Sequence, residues 1–314
     1  HQETAICQCG DHYFYYDVNP FYVDTLDKKV IAKFIEVAYQ PYYERFGNEI
    51  EGFFTDEPQI SRNGIPWSFV FREEYQARYS ENIMECLEQL FLPVGDYKKT
   101  RVKFWKMVTE LFSEAFMKQI YDWCEENDYE FTGHYIEERF LETQMMCCAG
   151  VMPFYEYETM PGIDHLGRGI TSPAKPKQVS SVASQLGKKQ VLTETYAGCG
   201  WDVFPNTLKR IAEWQYVNGV NVMCHHLLPY SERGNRKRDY PAHYSWVNPW
   251  VRKNIRDFND YFARLGYLLG ESEEIVNVAI FCPIRSVYFE YKRETMDDGS
   301  SINASYQKLT EQLS

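Results

Sequence analysis

Hydrophobic and polar positions along the chain follow two alternating rhythms. Short apolar runs, each about the length of a buried strand, occur at 12–17, 50–55, 129–135, 151–157, 190–194 and 220–224. Between them the apolar positions recur at helical spacing. Asp27 caps a pattern through Val30, Ile31, Phe34, Ile35 and Ala38 that stops near Gly47. Helical stretches are predicted at 70–91 and 100–126, the second striped by Phe104, Met107, Val108, Leu111, Phe112 and Ala115. Further helices are expected near 176–186, 205–217 and 249–268.

Strands that alternate with helices imply parallel βαβ units. The predicted fold class is therefore α/β, a TIM-type (β/α)8 barrel. About six of its eight strands are visible, counted as strands three to eight, so the barrel is expected to be N-terminally incomplete. A doubly wound open sheet is the alternative, but no glycine-rich phosphate loop follows any strand. The barrel is assigned to 1–270. After Gly270 a polar break, Glu271 to Glu274, precedes a new apolar run from Ile275 to Phe281, and 305–314 reads as a short helix. Residues 271–314 are thus expected to begin a second α/β unit or an extension. The chain opens at His1, which suggests a piece of something longer.

Composition removes several function classes. A net charge of −12 leaves no basic surplus for a nucleic-acid partner. The basic run Arg233 to Arg238 reads as a solvated loop, and no stretch is apolar enough to span a membrane. The nine cysteines lack zinc-knuckle spacing and read as free thiols, placing the protein in the cytoplasm rather than outside the cell. Aromatic residues reach 17%, which suits stacking on pyranose faces as well as it suits a filled core.

Two apolar runs end abruptly in carboxylates: Phe53-Phe54-Thr55-Asp56-Glu57-Pro58 and Val191-Leu192-Thr193-Glu194-Thr195. Paired carboxylates at strand ends are the minimal equipment for glycosidic cleavage. Glu57 is assigned as the acid and Glu194 as the nucleophile or base. Pro58 is expected to take the chain off the sheet and to hold Glu57 extended. In Gly133-His134-Tyr135-Ile136-Glu137-Glu138, His134 and Tyr135 are candidates for sugar contacts. Glu137 and Glu138 are candidate metal ligands or the acidic start of a helix. Asp56, Glu156, Asp164, Tyr196, Trp201, His225 and Tyr230 complete the expected sugar-binding set, with Asp164 in a loop and Trp201 a stacking platform. Alternation allows only one of His225 and His226 to face the site.

The segments FFTDEP, GHYIEE, PGID, TETYAGCGW and VNVAIFCP, in that order, resemble the barrel of family 106 α-L-rhamnosidase-like glycoside hydrolases. More distantly they resemble family 42 β-galactosidases, within the large retaining clan whose acid ends barrel strand four and whose partner ends strand seven. The resemblance covers about residues 12–285. It implies a carbohydrate substrate and, for family 106, inversion with calcium assistance. Two other readings stay open: a metal-dependent sugar isomerase or deacetylase, and a carbohydrate-binding barrel or fragment without turnover.

Overall fold

The computed structural model describes residues 4–61, 64–170, 172–228, 248–291 and 300–313. It opens with an antiparallel hairpin, β1 (Thr4–Cys9) and β2 (His12–Tyr16). The run at 12–17 is thus a strand as expected, but it pairs with its own hairpin partner rather than with the parallel strands.

Five parallel strands follow: β3 (Gly52–Asp56), β4 (Glu130–His134), β5 (Gly162–His165), β6 (Leu192–Thr195) and β7 (Val222–His225). β3 pairs with β4, and β5, β6 and β7 pair in sequence order. A single parallel bridge, Thr132 to Met160, spans the gap between β4 and β5. Helices fill the crossovers. α1 (Lys28–Ala38) and α2 (Gln40–Phe46) precede β3, and α3 (Phe71–Tyr79), α4 (Tyr97–Phe112) and α5 (Lys118–Glu126) lie between β3 and β4. α6 (Leu141–Cys147), α7 (Ala174–Gln185) and α8 (Pro205–Val217) precede β5, β6 and β7, and α9 (Pro249–Gly270), α10 (Ile284–Glu290) and α11 (Ser300–Leu313) close the chain. No helix among the described residues is long and apolar enough to cross a membrane.

Three elements differ from the periodicity. The stripe at 100–126 is one long helix with a π-turn inserted at Ser113–Met117, where the Ser113 hydroxyl donates to the Thr109 carbonyl. The stretch at 70–91 ends its α-helix at Tyr79 and continues as two short 3-10 turns. The apolar run at 151–157 is not a strand: its end, Phe154–Tyr157, is a 3-10 turn with Phe154 and Tyr155 fully buried. Pro153 has no N–H for a ladder, and short apolar runs do not distinguish strand from buried turn. The strand is the next segment, Gly162–His165.

Alternation along the parallel strands sorts side chains onto two faces. One face is covered by helices. Phe53 packs edge-to-face on Trp123 of α5, and His165 lies against Trp214 of α8. Gln215 of α8 bonds the hydroxyls of both Thr193 and Thr195, and His225 meets Phe258 of α9. The opposite face therefore carries Phe54, Asp56, His134, Asp164, Glu194 and Cys224. Gly133 and Gly162 allow the strands to approach: a Cβ at Gly133 would lie 2.2 Å from the Thr55 carbonyl oxygen, and one at Gly162 2.2 Å from that of Gly133.

Residues beyond 270 do not stand apart from this core. The Arg101 guanidinium of α4 donates to the Phe289 carbonyl of α10, and the Tyr288 hydroxyl bonds both Thr109 and the Ala149 carbonyl. The apolar run Ile275–Phe281 forms no strand and belongs to no sheet among the described residues, and most of its side chains are exposed.

Candidate active site

Parallel strands direct the residues at their C-terminal ends to one rim, and here that rim is acidic. Asp56 closes β3 directly opposite His134 at the end of β4, and Asp164 of β5 sits opposite Glu194 of β6. His134 is the hub. Its ring is only 1% exposed, with Nε2 3.0 Å from Glu194 Oε2 and 3.6 Å from Asp56 Oδ1. Two triplets, Asp56–His134–Glu194 and Glu57–His134–Asp164, each bring ligand-type atoms within 4.8 Å of one another. The two glutamates expected to work as a pair thus flank the same imidazole.

The electrostatics follow from burial against charge. Burial alone would depress the His134 pKa. The hydrogen bond with Glu194 and the charges of Glu138, Asp164 and Glu194 outweigh it and lift the ring to about 9. Glu194 moves the other way. Its bond to His134 holds it below the usual carboxylate range against partial burial, helped by the charges of His134 and His226. Burial pushes Asp164 up to about 7, opposed by His134 and Lys175. Its Oδ1 is buried without a hydrogen-bond partner among the described residues. The cluster therefore holds one carboxyl ionised beside a cation, Glu194, and a second, Asp164, whose proton affinity burial has raised.

Glu57 follows β3 with its backbone N–H donating to the His134 carbonyl at 3.2 Å. Its φ is +52°, so Pro58 does not hold it extended as expected. The chain leaves β3 through the left-handed region, a conformation that costs about 1–2 kcal/mol in a non-glycine residue. Tyr196, two residues past Glu194, also has positive φ, at 84°.

Several expected site residues lie elsewhere. Tyr135 is buried against Phe154 and Tyr155, and its hydroxyl donates to Glu158 at 2.6 Å, so it packs the core and does not reach a sugar. Tyr196 is likewise buried, its hydroxyl donating to the Leu208 carbonyl. Glu156 is exposed on the 3-10 turn that precedes β5, at the opposite end of the strands from the acidic rim. His225 faces the helices between Tyr196 and Phe258, and burial pulls it down to about 4. Its neighbour His226 is the one whose charge reaches Glu194. Asp164 is on a strand rather than in a loop. Tyr230 and the run Arg233–Arg238 lie outside the described residues. Trp201 is 46% exposed in the loop after β6, directly after Gly200 and close to Gly198, two positions where positive φ favours glycine.

The two candidate metal ligands separate. Glu137 is exposed on a turn with φ +59°. Glu138 is buried with both oxygens engaged: Oε1 accepts from the Tyr135 amide and the Tyr155 hydroxyl, Oε2 from the Asp164 amide. It ties the end of β4 to β5, with most of its acceptor capacity used inside the protein. Calcium takes roughly six to eight oxygen ligands. The described residues gather four carboxylates, Asp56, Glu57, Asp164 and Glu194, but each triplet is completed by a His134 nitrogen, a donor suited to transition metals rather than to calcium.

Sequence reasoning missed Lys175, whose ammonium, at the start of α7, donates to the Asp164 carbonyl beneath the rim. No periodicity marks it. His226 was passed over for His225, although alternation puts it on the same side as Cys224, the partner of Glu194 in the sheet. All nine cysteines are free, and burial raises the Cys199 thiol to about 11, which removes it as a nucleophile.

No curated protein matches the chain. Among solved structures it is similar to a rhamnosidase from Novosphingobium sp. PP1Y, with a TM-score of 0.61 at 18% identity. That likeness covers 86% of this chain and 26% of the other, so the chain spans about a quarter of that protein's length. A sequence profile described as alpha-L-rhamnosidase matches residues 17–295. The chain belongs to that family, glycoside hydrolase family 106.

Proposed function

We propose that the chain carries the acid–base centre of an α-L-rhamnoside-cleaving glycosidase, built on strands four to eight of a (β/α)8 barrel. The observation that carries this reading is the convergence of Glu57 and Glu194, from the ends of β3 and β6, on the single buried His134. β3 and β6 are three strands apart in the parallel series, the offset between strands four and seven.

Glu57, beside the rim, protonates the departing glycosidic oxygen. Glu194, kept ionised by the imidazolium, activates the water that attacks the anomeric carbon, consistent with the inversion that family resemblance implies. Asp164 holds a sugar hydroxyl. Asp56 and Trp201 bound the sugar on the open sides. His134 orients Glu194 and balances its charge, so the base stays aimed before substrate arrives. Calcium, also implied by the resemblance, does not fit the described residues, and no step here runs through it.

Hydrolysis of an aryl α-L-rhamnoside is the direct test, with the anomer of the first product followed by proton NMR. Glu57→Gln and Glu194→Gln should each lower kcat at least about a thousandfold. Loss of Glu57 should be milder on substrates whose leaving group needs no proton. Wild-type activity retained in both variants would end the assignment.

A further inference from the structure

The loop from Asp17 to Asp27, between β2 and α1, is strapped to the segment that follows the candidate acid. The Gln59 amide, two residues past Glu57, donates to the Tyr22 hydroxyl at 3.2 Å, and the Thr25 hydroxyl donates to the Gln59 carbonyl. The Ser68 hydroxyl donates to Asp24 Oδ2 at 2.7 Å, which joins the loop to the turn carrying Phe69. The Asn19 side chain accepts from the Phe21 amide and fixes the backbone there. The loop is thus held at several points.

Its aromatic rings are nevertheless not buried. Phe21 is 92% exposed and Phe69 is 70% exposed, while Phe69 meets Tyr16 edge-to-face with ring centroids 5.4 Å apart. A firmly held backbone that presents two phenyl rings to solvent is a pre-formed stacking surface rather than a frayed loop. The loop precedes α1, and its bonds to Gln59 hold it against the segment that leaves the C-terminal end of β3. Through Gln59 the loop is tied to the chain two residues from Glu57.

We propose that Phe21 and Phe69, with Tyr22, form a carbohydrate subsite on the leaving-group side, stacking the sugar ring from which the glycosyl unit departs. This rests on the glycosidase reading above: the acid contacts the leaving oxygen, so the ring next to Glu57 on the outer side is the leaving group. Phe21 and Phe69 touch no reacting atom. They set which glycosides bind productively.

The test compares two substrates, α-L-rhamnosyl fluoride, whose leaving group has no ring, and a rhamnosyl-glucose disaccharide. Phe21→Ala and Phe69→Ala should each raise KM for the disaccharide about fivefold. KM for the fluoride should stay within about twofold, and Phe21→Trp should restore disaccharide binding. Equal effects on both substrates, or none on the disaccharide, overturn the subsite. NMR titration of the full chain with the same disaccharide and with free rhamnose separates the two proposals. Should the wild type cleave neither substrate, the catalytic reading fails. The subsite then still requires disaccharide binding that exceeds rhamnose binding and falls in Phe21→Ala; its absence sinks the subsite alone.

Discussion

At the scale of single residues, the site depends on the pairing of His134 with Glu194. A histidine gaining a carboxylate partner has its folded pKa raised, here to about 9 from an ordinary value near 6.5. The stability it contributes is complete below about pH 6.5 and is lost as pH rises through about 9. Glu194 has the opposite sign: its contribution is present above the ordinary carboxylate range and is lost as pH falls through its lowered folded value. The ion pair is therefore strongest across the neutral range. In NMR the His134 ring should titrate near pH 9 in the wild type and fall towards 6.5 in Glu194→Gln. A ring that titrates normally in the wild type would remove the pair, and with it the argument that the base is held ionised. Asp164 offers a second check at this scale. Asp164→Asn keeps the volume and removes the competing negative charge beside His134, so the ring's pKa should drop by less than it does on loss of Glu194.

At the scale of elements, the parallel strands approach closely because three of them carry glycine where a side chain would meet the neighbouring backbone, Gly52, Gly133 and Gly162. Gly133→Ala puts a methyl group 2.2 Å from the Thr55 carbonyl oxygen, and backbone there has little room to give. Overpacking of this kind costs about 1–3 kcal/mol. Chemical denaturation should show a loss in that range, with activity falling as β3 and β4 shift Asp56 and His134 apart; an unchanged midpoint would mean the strands yield freely. The same elements show what the sequence made legible. β3 and β6 were readable because apolar residues end sharply in carboxylates, and with them came Glu57 and Glu194. β5 was not: Gly162-Ile163-Asp164-His165 has one apolar residue, and its place in the sheet is set by pairing with β6 rather than by local preference. The neighbouring run Val151 to Tyr157 looked more strand-like because it is buried, and burial does not specify backbone conformation. That misplacement also moved Asp164 from a loop onto the rim and Glu156 away from it. Tyr135 and Tyr196 were misread for a similar reason, since a tyrosine beside a catalytic motif can point to the site or bond back into the core. Only the fold decides which.

At the scale of the whole molecule, the polar break at Glu271 to Glu274 suggested a boundary, yet side chains on both sides of it share one core. Val287 and Tyr288 of α10 are buried, and Tyr291 packs edge-to-face on Trp105 of α4. On the other side, the Leu141 amide at the start of α6 donates to the Asn303 side chain of α11 at 3.2 Å. A chain cut after Gly270 would strip the Asn303 side chain from the Leu141 amide, take the Tyr288 hydroxyl from Thr109 and the Ala149 carbonyl, which still bond each other, and uncover Trp105. Each buried polar group left unpaired costs about 1–3 kcal/mol, and each large apolar side chain returned to water about 1.5–3 kcal/mol. Residues 1–270 alone should therefore melt on the order of 10 °C below the full chain. Tyr288→Phe, which keeps the ring and deletes the hydroxyl shared by Thr109 and Ala149, should account for only about 1–2 kcal/mol of that loss. Calorimetry discriminates the arrangements: one cooperative transition for the full chain is expected if α10 and α11 belong to the same body as the parallel strands. A truncated chain that melts at the full-length temperature would make 271–314 a separate unit and restore the boundary at Gly270.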